Sequence, residues 1–165
     1  MARLEAEQVV QQSVLDRLID VEPRNGTEAP PTRAQSVRQL KAALRRDLEW
    51  LLNSRRNPEA ADESTPELSY SVFNYGLADI TSLCLLVPDD QERLLHWMET
   101  AIAHYEPRLQ GIQVSMRPLS AASRVLRFQI EGMLRVDPAP EHVSFDTLLE
   151  LSSGNYQVEG EPRAR

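Results

Sequence analysis

"HYEPRLQGIQVSM", His104 to Met116, is the stretch in which the chain changes its period. Upstream, apolar residues recur every three or four positions, as on a helix; downstream, Ile112, Val114 and Met116 alternate with Gln113, Ser115 and Arg117, as on a half-buried strand. Between the two periods stand Glu106, Pro107 and Arg108. Glu106 precedes a proline and is biased out of helical geometry, while Pro107 has no amide hydrogen to continue a hydrogen-bond ladder, so the helix ends and the chain turns here. If the backbone leaves in extended form, residues two apart point to one side, and the Glu106 carboxylate comes to lie beside the Arg108 guanidinium. Such a pair reads as a surface ion pair, as a catalytic acid with its cationic neighbour, or as a docking site for another protein.

Working backward, "PDDQERLLHWMETAIAHY" gives a helix starting at Asp89, with Glu92 as acidic cap partner and Leu94, Met98, Ala101 and Tyr105 on its buried side. Before it, "LSYSVFNYGLADITSL" is apolar but broken by Asn74 and Gly76, and reads as an irregular segment laid across a core. "SRRNPEAADESTPE" is a flexible, acidic connection. In "SVRQLKAALRRDLEWLLN", Val37, Leu40, Leu44, Leu48 and Leu51 recur at helical spacing, with Ser36 and Gln39 forming a capping-box pattern and Arg38, Lys41 and Arg45 on the opposite face. "EPRNGTEAPPTRAQ" is a loop, and "SVLDRLID" a short amphipathic helix carrying Val14, Leu15, Leu18 and Ile19 on one side.

Working forward, "RVLRFQIEGML" alternates Leu126, Phe128 and Ile130 against Arg127, Gln129 and Glu131, and is joined to the preceding strand through "LSAAS". "HVSFDTLLELS" places Phe145, Thr147, Leu149 and Leu151 on one face, and "SGN" turns the chain into a last short strand at "YQV". Helices first and strands afterwards argue for an α+β fold, N-terminal helices followed by a small antiparallel sheet packed against them. With 165 residues and 41% hydrophobic content the chain builds one core. Its expected organisation is an N-terminal extension at 1–12, one domain at 13–158 and a tail at 159–165.

A net charge of -7 gives no overall attraction to nucleic acid. No run approaches the roughly 20 apolar residues of a spanning helix, and the N-terminus is too charged for a signal peptide, so the expected location is cytoplasmic. The basic residues are arginines except for Lys41, as biased genomic composition or an arginine-rich contact surface would produce. Cys84, the single cysteine, excludes an internal disulfide and reads as a small buried hydrophobe. No metal site is expected: His96 and His104 are misaligned on one helix, His142 stands alone, and there is no cysteine pair. Glycine-rich phosphate loops and nucleophile elbows are absent, and no cofactor is expected. A glycosidase would need two facing carboxylates with one pKa raised; Glu99 and Glu106 are the available pair, but Arg108 beside Glu106 favours the charged form, and aromatic content is only 5%.

Taken together, "SVLDRL", "RRDLEWLLNSRR", "SVFNYGLADITSL", "YEPRL" and "LRFQIEGML" followed by "FDT" resemble the GPW family of phage baseplate wedge proteins, from about Ser13 to Val158. Within that family they look like the TssE branch, baseplate subunits of the bacterial type VI secretion system, and the "RRDLEWLLNSRR" helix favours this branch; Ala78 stands where the family pattern has a proline. The resemblance implies a structural part, not an enzyme, assembled at the inner face of the cytoplasmic membrane. It implies docking through Glu106, Pro107 and Arg108 to the larger wedge subunits TssF and TssG, indirectly TssK, and a sheet that serves as a platform for the sheath subunits TssB and TssC. A peptidoglycan-cleaving, lysozyme-like glycosidase and an unrelated adaptor domain are the alternatives.

Overall fold

The computed structural model of the chain describes residues 9–19, 24, 30–59, 64–85, 87–117 and 125–160. The "LSAAS" joint and parts of the N-terminal extension, the proline-rich loop, the acidic connection and the C-terminal tail lie outside them.

Among the described residues three helices precede a four-stranded antiparallel sheet, an α+β arrangement: α1 (Val14–Leu18), α2 (Arg33–Asn53), α3 (Pro88–Tyr105), then β1 (Leu109–Met116), β2 (Val125–Leu134), β3 (Glu141–Glu150) and β4 (Asn155–Val158). The strands pair in chain order, leaving β1 and β4 as the two edges. Helix α3 lies against β1, α2 against β4, and the two helices touch, so one face of the sheet is covered. The period-2 residues Val114, Leu126, Phe128, Ile130, Phe145 and Leu149 meet the period-3.6 residues Leu40, Leu44, Leu48, Leu94, Met98 and Ile102 in one core. Thr147 is fully buried among them, whereas Leu151 falls in the turn after β3 and is exposed.

The helix starts differ from the sequence expectation by a turn or less. Helix α2 begins at Arg33, because Thr32 and Gln35 form the capping box: the Gln35 amide donates to Thr32 Oγ1 at 3.3 Å and the Thr32 amide to Gln35 Oε1 at 2.8 Å. Ser36, the expected cap, is buried inside the first turn, where its hydroxyl donates to the Arg33 carbonyl and accepts the Val10 amide, tying the N-terminal segment to α2. Thr32-x-x-Gln35 and Ser36-x-x-Gln39 both fit the pattern, and tertiary contact selects the earlier one. Helix α3 starts at Pro88, whose missing amide hydrogen costs nothing at the first helical position, and no side chain caps it. Glu92 is exposed, and it is Asp90 that reaches back, accepting the Cys84 amide at 2.8 Å. Cys84 itself is exposed, contrary to its apolar sequence context, because that turn lies outside the core.

Between α2 and α3 the irregular segment forms three short 3₁₀ turns, Pro66–Tyr70, Val72–Asn74 and Ile80–Ser82. Leu77 anchors it: its amide donates to the Ser54 carbonyl and its carbonyl accepts from the Arg56 amide, both at 2.8 Å. Gly76, at φ 111°, permits that approach, since a Cβ there would lie 2.3 Å from the Ser54 carbonyl oxygen. Helix α1 forms as expected, capped by Ser13, but Val14, Leu15, Leu18 and Ile19 are all exposed. Arg38 and Arg45 are solvated, while Lys41 is half-buried and paired with Glu141 at 2.7 Å.

Candidate functional site: the Glu-Pro-Arg corner and the sheet edges

Glu106, Pro107 and Arg108 occupy the corner between α3 and β1. The expected extended geometry is not what joins the acid to the base. Glu106 ends the helix with its amide bonded to the Ile102 carbonyl, and its own carbonyl accepts the Leu109 amide at 3.1 Å, so Pro107 and Arg108 form a turn. The Arg108 side chain folds back over that turn: Nε donates to Glu106 Oε1 and Nη2 to Glu106 Oε2, a bidentate fork. Glu106 is 5% exposed, which is far from the surface ion pair that the sequence allowed.

A further carboxylate completes the clamp. Arg108 Nη2 also donates to Asp47 Oδ2 of α2 at 2.6 Å. Asp47 in turn accepts Arg46 Nε and Nη2 on Oδ1, at 2.9 and 2.7 Å, and Arg46 Nη2 reaches Asp16 of α1 at 2.8 Å. Asp16, Arg46, Asp47, Arg108 and Glu106 therefore form a chain of alternating charge from α1 to the corner, with one carboxylate in excess. The hydrogen bonds that Arg108 donates to Glu106, opposed by burial and aided by Asp47, push the Arg108 guanidinium pKa up, so it stays charged. Burial, reinforced by Asp47 and Glu106, also raises the Tyr75 hydroxyl. Beside the clamp lies a depression of roughly 360 Å³ lined by Ser13, Asp47, Tyr75, Tyr105, Glu106 and Arg108.

Arg108 is thus not a free cation. Nε and Nη2 are committed internally, and Nη1 is the nitrogen with no partner among the described residues. Sequence reasoning missed Asp47, 61 positions from Arg108. Its signal was an acid on the apolar face of α2, three residues after Leu44 and four before Leu51. Glu99 does not face Glu106: it lines a separate depression and accepts the Val114 amide of β1 at 2.8 Å. The facing carboxylates of a glycosidase are not formed by this pair. No cluster among the described residues could hold a metal ion.

The model of the family described as baseplate wedge protein gp25 matches residues 38–139, more than half of the chain. The chain belongs to this family. Its matched span runs from the first turns of α2 through β2 and includes the corner of Glu106, Pro107 and Arg108 together with Asp47, but not α1 or β3. A solved chain in "The baseplate complex from the type VI secretion system" is similar to it with a TM-score of 0.47 and 18% identity over 67% of this chain and 94% of that one. No curated protein matches the chain.

The two edges of this wedge-family sheet are finished differently. On β4, Asn53 at the end of α2 imitates a neighbouring strand: its Oδ1 accepts the Tyr156 amide at 2.8 Å and its Nδ2 donates to the Tyr156 carbonyl at 2.7 Å. Glu49 then accepts the Val158 amide at 3.2 Å. On β1 the Arg117 amide donates to the Arg127 carbonyl of β2, so Val114 and Met116, out of phase with it, direct their backbone groups away from the sheet. Only the Val114 amide is taken, by Glu99; the Met116 amide has no partner among the described residues.

Proposed function

We propose that this chain is the TssE-type wedge subunit of a type VI secretion baseplate, a structural part acting over residues 13–158, with 1–12 and 159–165 as extensions, at the inner face of the cytoplasmic membrane. Among the described residues no helix is long and apolar enough to cross a membrane. The corner of Glu106, Pro107 and Arg108 docks onto the larger wedge subunits TssF and TssG, and through them TssK, while the sheet offers its β1 edge to the sheath subunits TssB and TssC. Catalysis, metal and cofactor have no part in this reading.

The observation that carries it is the clamp itself. A guanidinium held by two carboxylates is already ordered, so a partner that meets Arg108 Nη1 does not have to immobilise a flexible side chain. Because the clamp already has a carboxylate in excess, a partner carboxylate would be repelled, and neutral acceptors such as the last carbonyls of a helix fit better. The family resemblance implies that TssF and TssG offer a helical bundle, which presents such groups. The exposed apolar side of α1 adjoins the same depression through Ser13, giving that bundle apolar surface to cover next to the polar contact.

The test is co-expression with TssF and TssG and size-exclusion chromatography of wild type beside Arg108→Lys, which keeps the charge but loses the fork and Nη1. Wild type is expected to co-elute and the variant, folded by circular dichroism, to elute alone. A variant that co-elutes overturns docking through the corner, and a wild type that elutes alone overturns the wedge assignment within this machine.

A further inference from the structure

The β1 edge is neither sealed nor open. The sheet closes β4 with a donor and an acceptor from Asn53 and a second acceptor from Glu49, but on β1 it supplies a single acceptor, the half-buried Glu99 carboxylate on the Val114 amide. The outward Val114 carbonyl and both outward groups of Met116 are left unmatched by any described residue. Toward the start of the strand the pairing with β2 shifts register between Gln110 and Gln113, and Gly111 adopts φ 59°, a bulge that ends regular edge geometry there. What remains is a short donor and acceptor row at Val114–Met116 that fits one ligand chemistry, an extended peptide backbone.

Resting on the β1-edge reading above, we infer that Glu99 is a displaceable stand-in for the sheath strand: its carboxylate occupies the Val114 amide in the free subunit and leaves when a backbone carbonyl of TssB or TssC takes that place. Displacement is easy in one direction and protective in the other. The leaving carboxylate rotates into an open groove lined by His96, Thr100, Ala103, Gln110 and Ile112, where water solvates its charge. While in place it puts a negative charge on an edge that would otherwise pair with a second copy. Glu99 thereby makes the edge selective for a strand that supplies several backbone bonds at once, since one bond alone exchanges a charged acceptor for a neutral one.

The test measures binding of TssB and TssC, purified together, to the full chain as wild type, Glu99→Ala and Met116→Pro. Removing the competing acceptor in Glu99→Ala is expected to tighten binding about tenfold, or 1.4 kcal/mol. Met116→Pro, which lacks the outward amide at an edge position that tolerates proline, is expected to weaken it at least about tenfold. If Met116→Pro weakens binding while Glu99→Ala leaves it unchanged or weaker, the stand-in is overturned and the edge reading survives. If Met116→Pro binds like wild type, or wild type does not bind at all, both fall. Should the proline variant not fold, hydrogen exchange at the Val114 amide decides. Exchange is expected to be slow in wild type, fast in Glu99→Ala alone, and slow again in Glu99→Ala with TssB and TssC. Fast exchange that persists in the complex, or slow exchange in Glu99→Ala alone, overturns the inference.

Discussion

Replacing Arg108 by alanine is expected to destabilise the fold of the chain itself. The substitution removes both fork bonds to Glu106 and the bond to Asp47. Glu106, 5% exposed, would keep its carboxylate in a site where water reaches it poorly. Removing one partner of a fully buried ion pair costs about 3–5 kcal/mol. Two features pull the figure down here: the Arg108 side chain is 25% exposed, so part of the pairing is screened, and Asp47 still has Arg46. About 2–3 kcal/mol is therefore expected, which for a chain of this size lowers Tm by roughly 5–10 °C. Urea unfolding of wild type, Arg108→Ala, Glu106→Gln and the double variant measures it. Neutralising the stranded acid should return part of the loss, with a coupling of about 1–2 kcal/mol between the sites that survives about 0.5 M salt. A loss below about 0.5 kcal/mol, or a coupling abolished by salt, is how an exposed pair behaves, and it would refute the clamp as described. Because Arg108→Ala weakens the fold, Arg108→Lys is the variant that separates loss of docking from loss of structure.

Gly76→Ala should lower stability by more than about 2 kcal/mol, because φ 111° and a Cβ at 2.3 Å from the Ser54 carbonyl leave no room; an unchanged thermal midpoint would contradict the anchoring of Leu77. Tyr156→Phe should cost nothing by denaturant unfolding and can stabilise by up to about 1 kcal/mol, since the buried hydroxyl has no hydrogen-bond partner among the described residues, while Phe128→Ala, in the same core, should cost about 3–5 kcal/mol. For Asp16, burial alone would raise the carboxyl, but the Ser13 hydroxyl and Arg46 outweigh it and hold it below its ordinary value. A depressed carboxylate stabilises the fold above the ordinary value and loses that contribution as pH falls through the folded one, so α1 should leave α2 only below about pH 4. Protection of the Arg17 and Ile19 amides, taken relative to their intrinsic exchange rates, that is already lost as pH falls from about 6 to 5 would rule this out.

The helical run through Leu40 to Leu51, the switch of period at Glu106 and the three alternations that follow were legible without coordinates because each is a local pattern of apolar and polar residues, and burial on one face imposes that pattern directly. Glu106, Pro107 and Arg108 were legible as a corner for the same reason, proline chemistry being local. Local pattern could not say that Thr32 would outcompete Ser36 as the cap, because the choice depends on Val10 reaching Ser36 from outside the helix. Nor could it find Asp47, brought to Arg108 from 61 positions away by the packing of α2 against the corner, or tell that the sheet would seal β4 with Asn53 and leave β1 to Glu99. The sequence by itself determined which segments are helix and which are strand, since that follows from nearest-neighbour geometry along the chain. Which charges meet, which backbone groups stay unpaired, and therefore what the surface can dock were decided only when helices and sheet packed, because those contacts join residues that no periodicity relates.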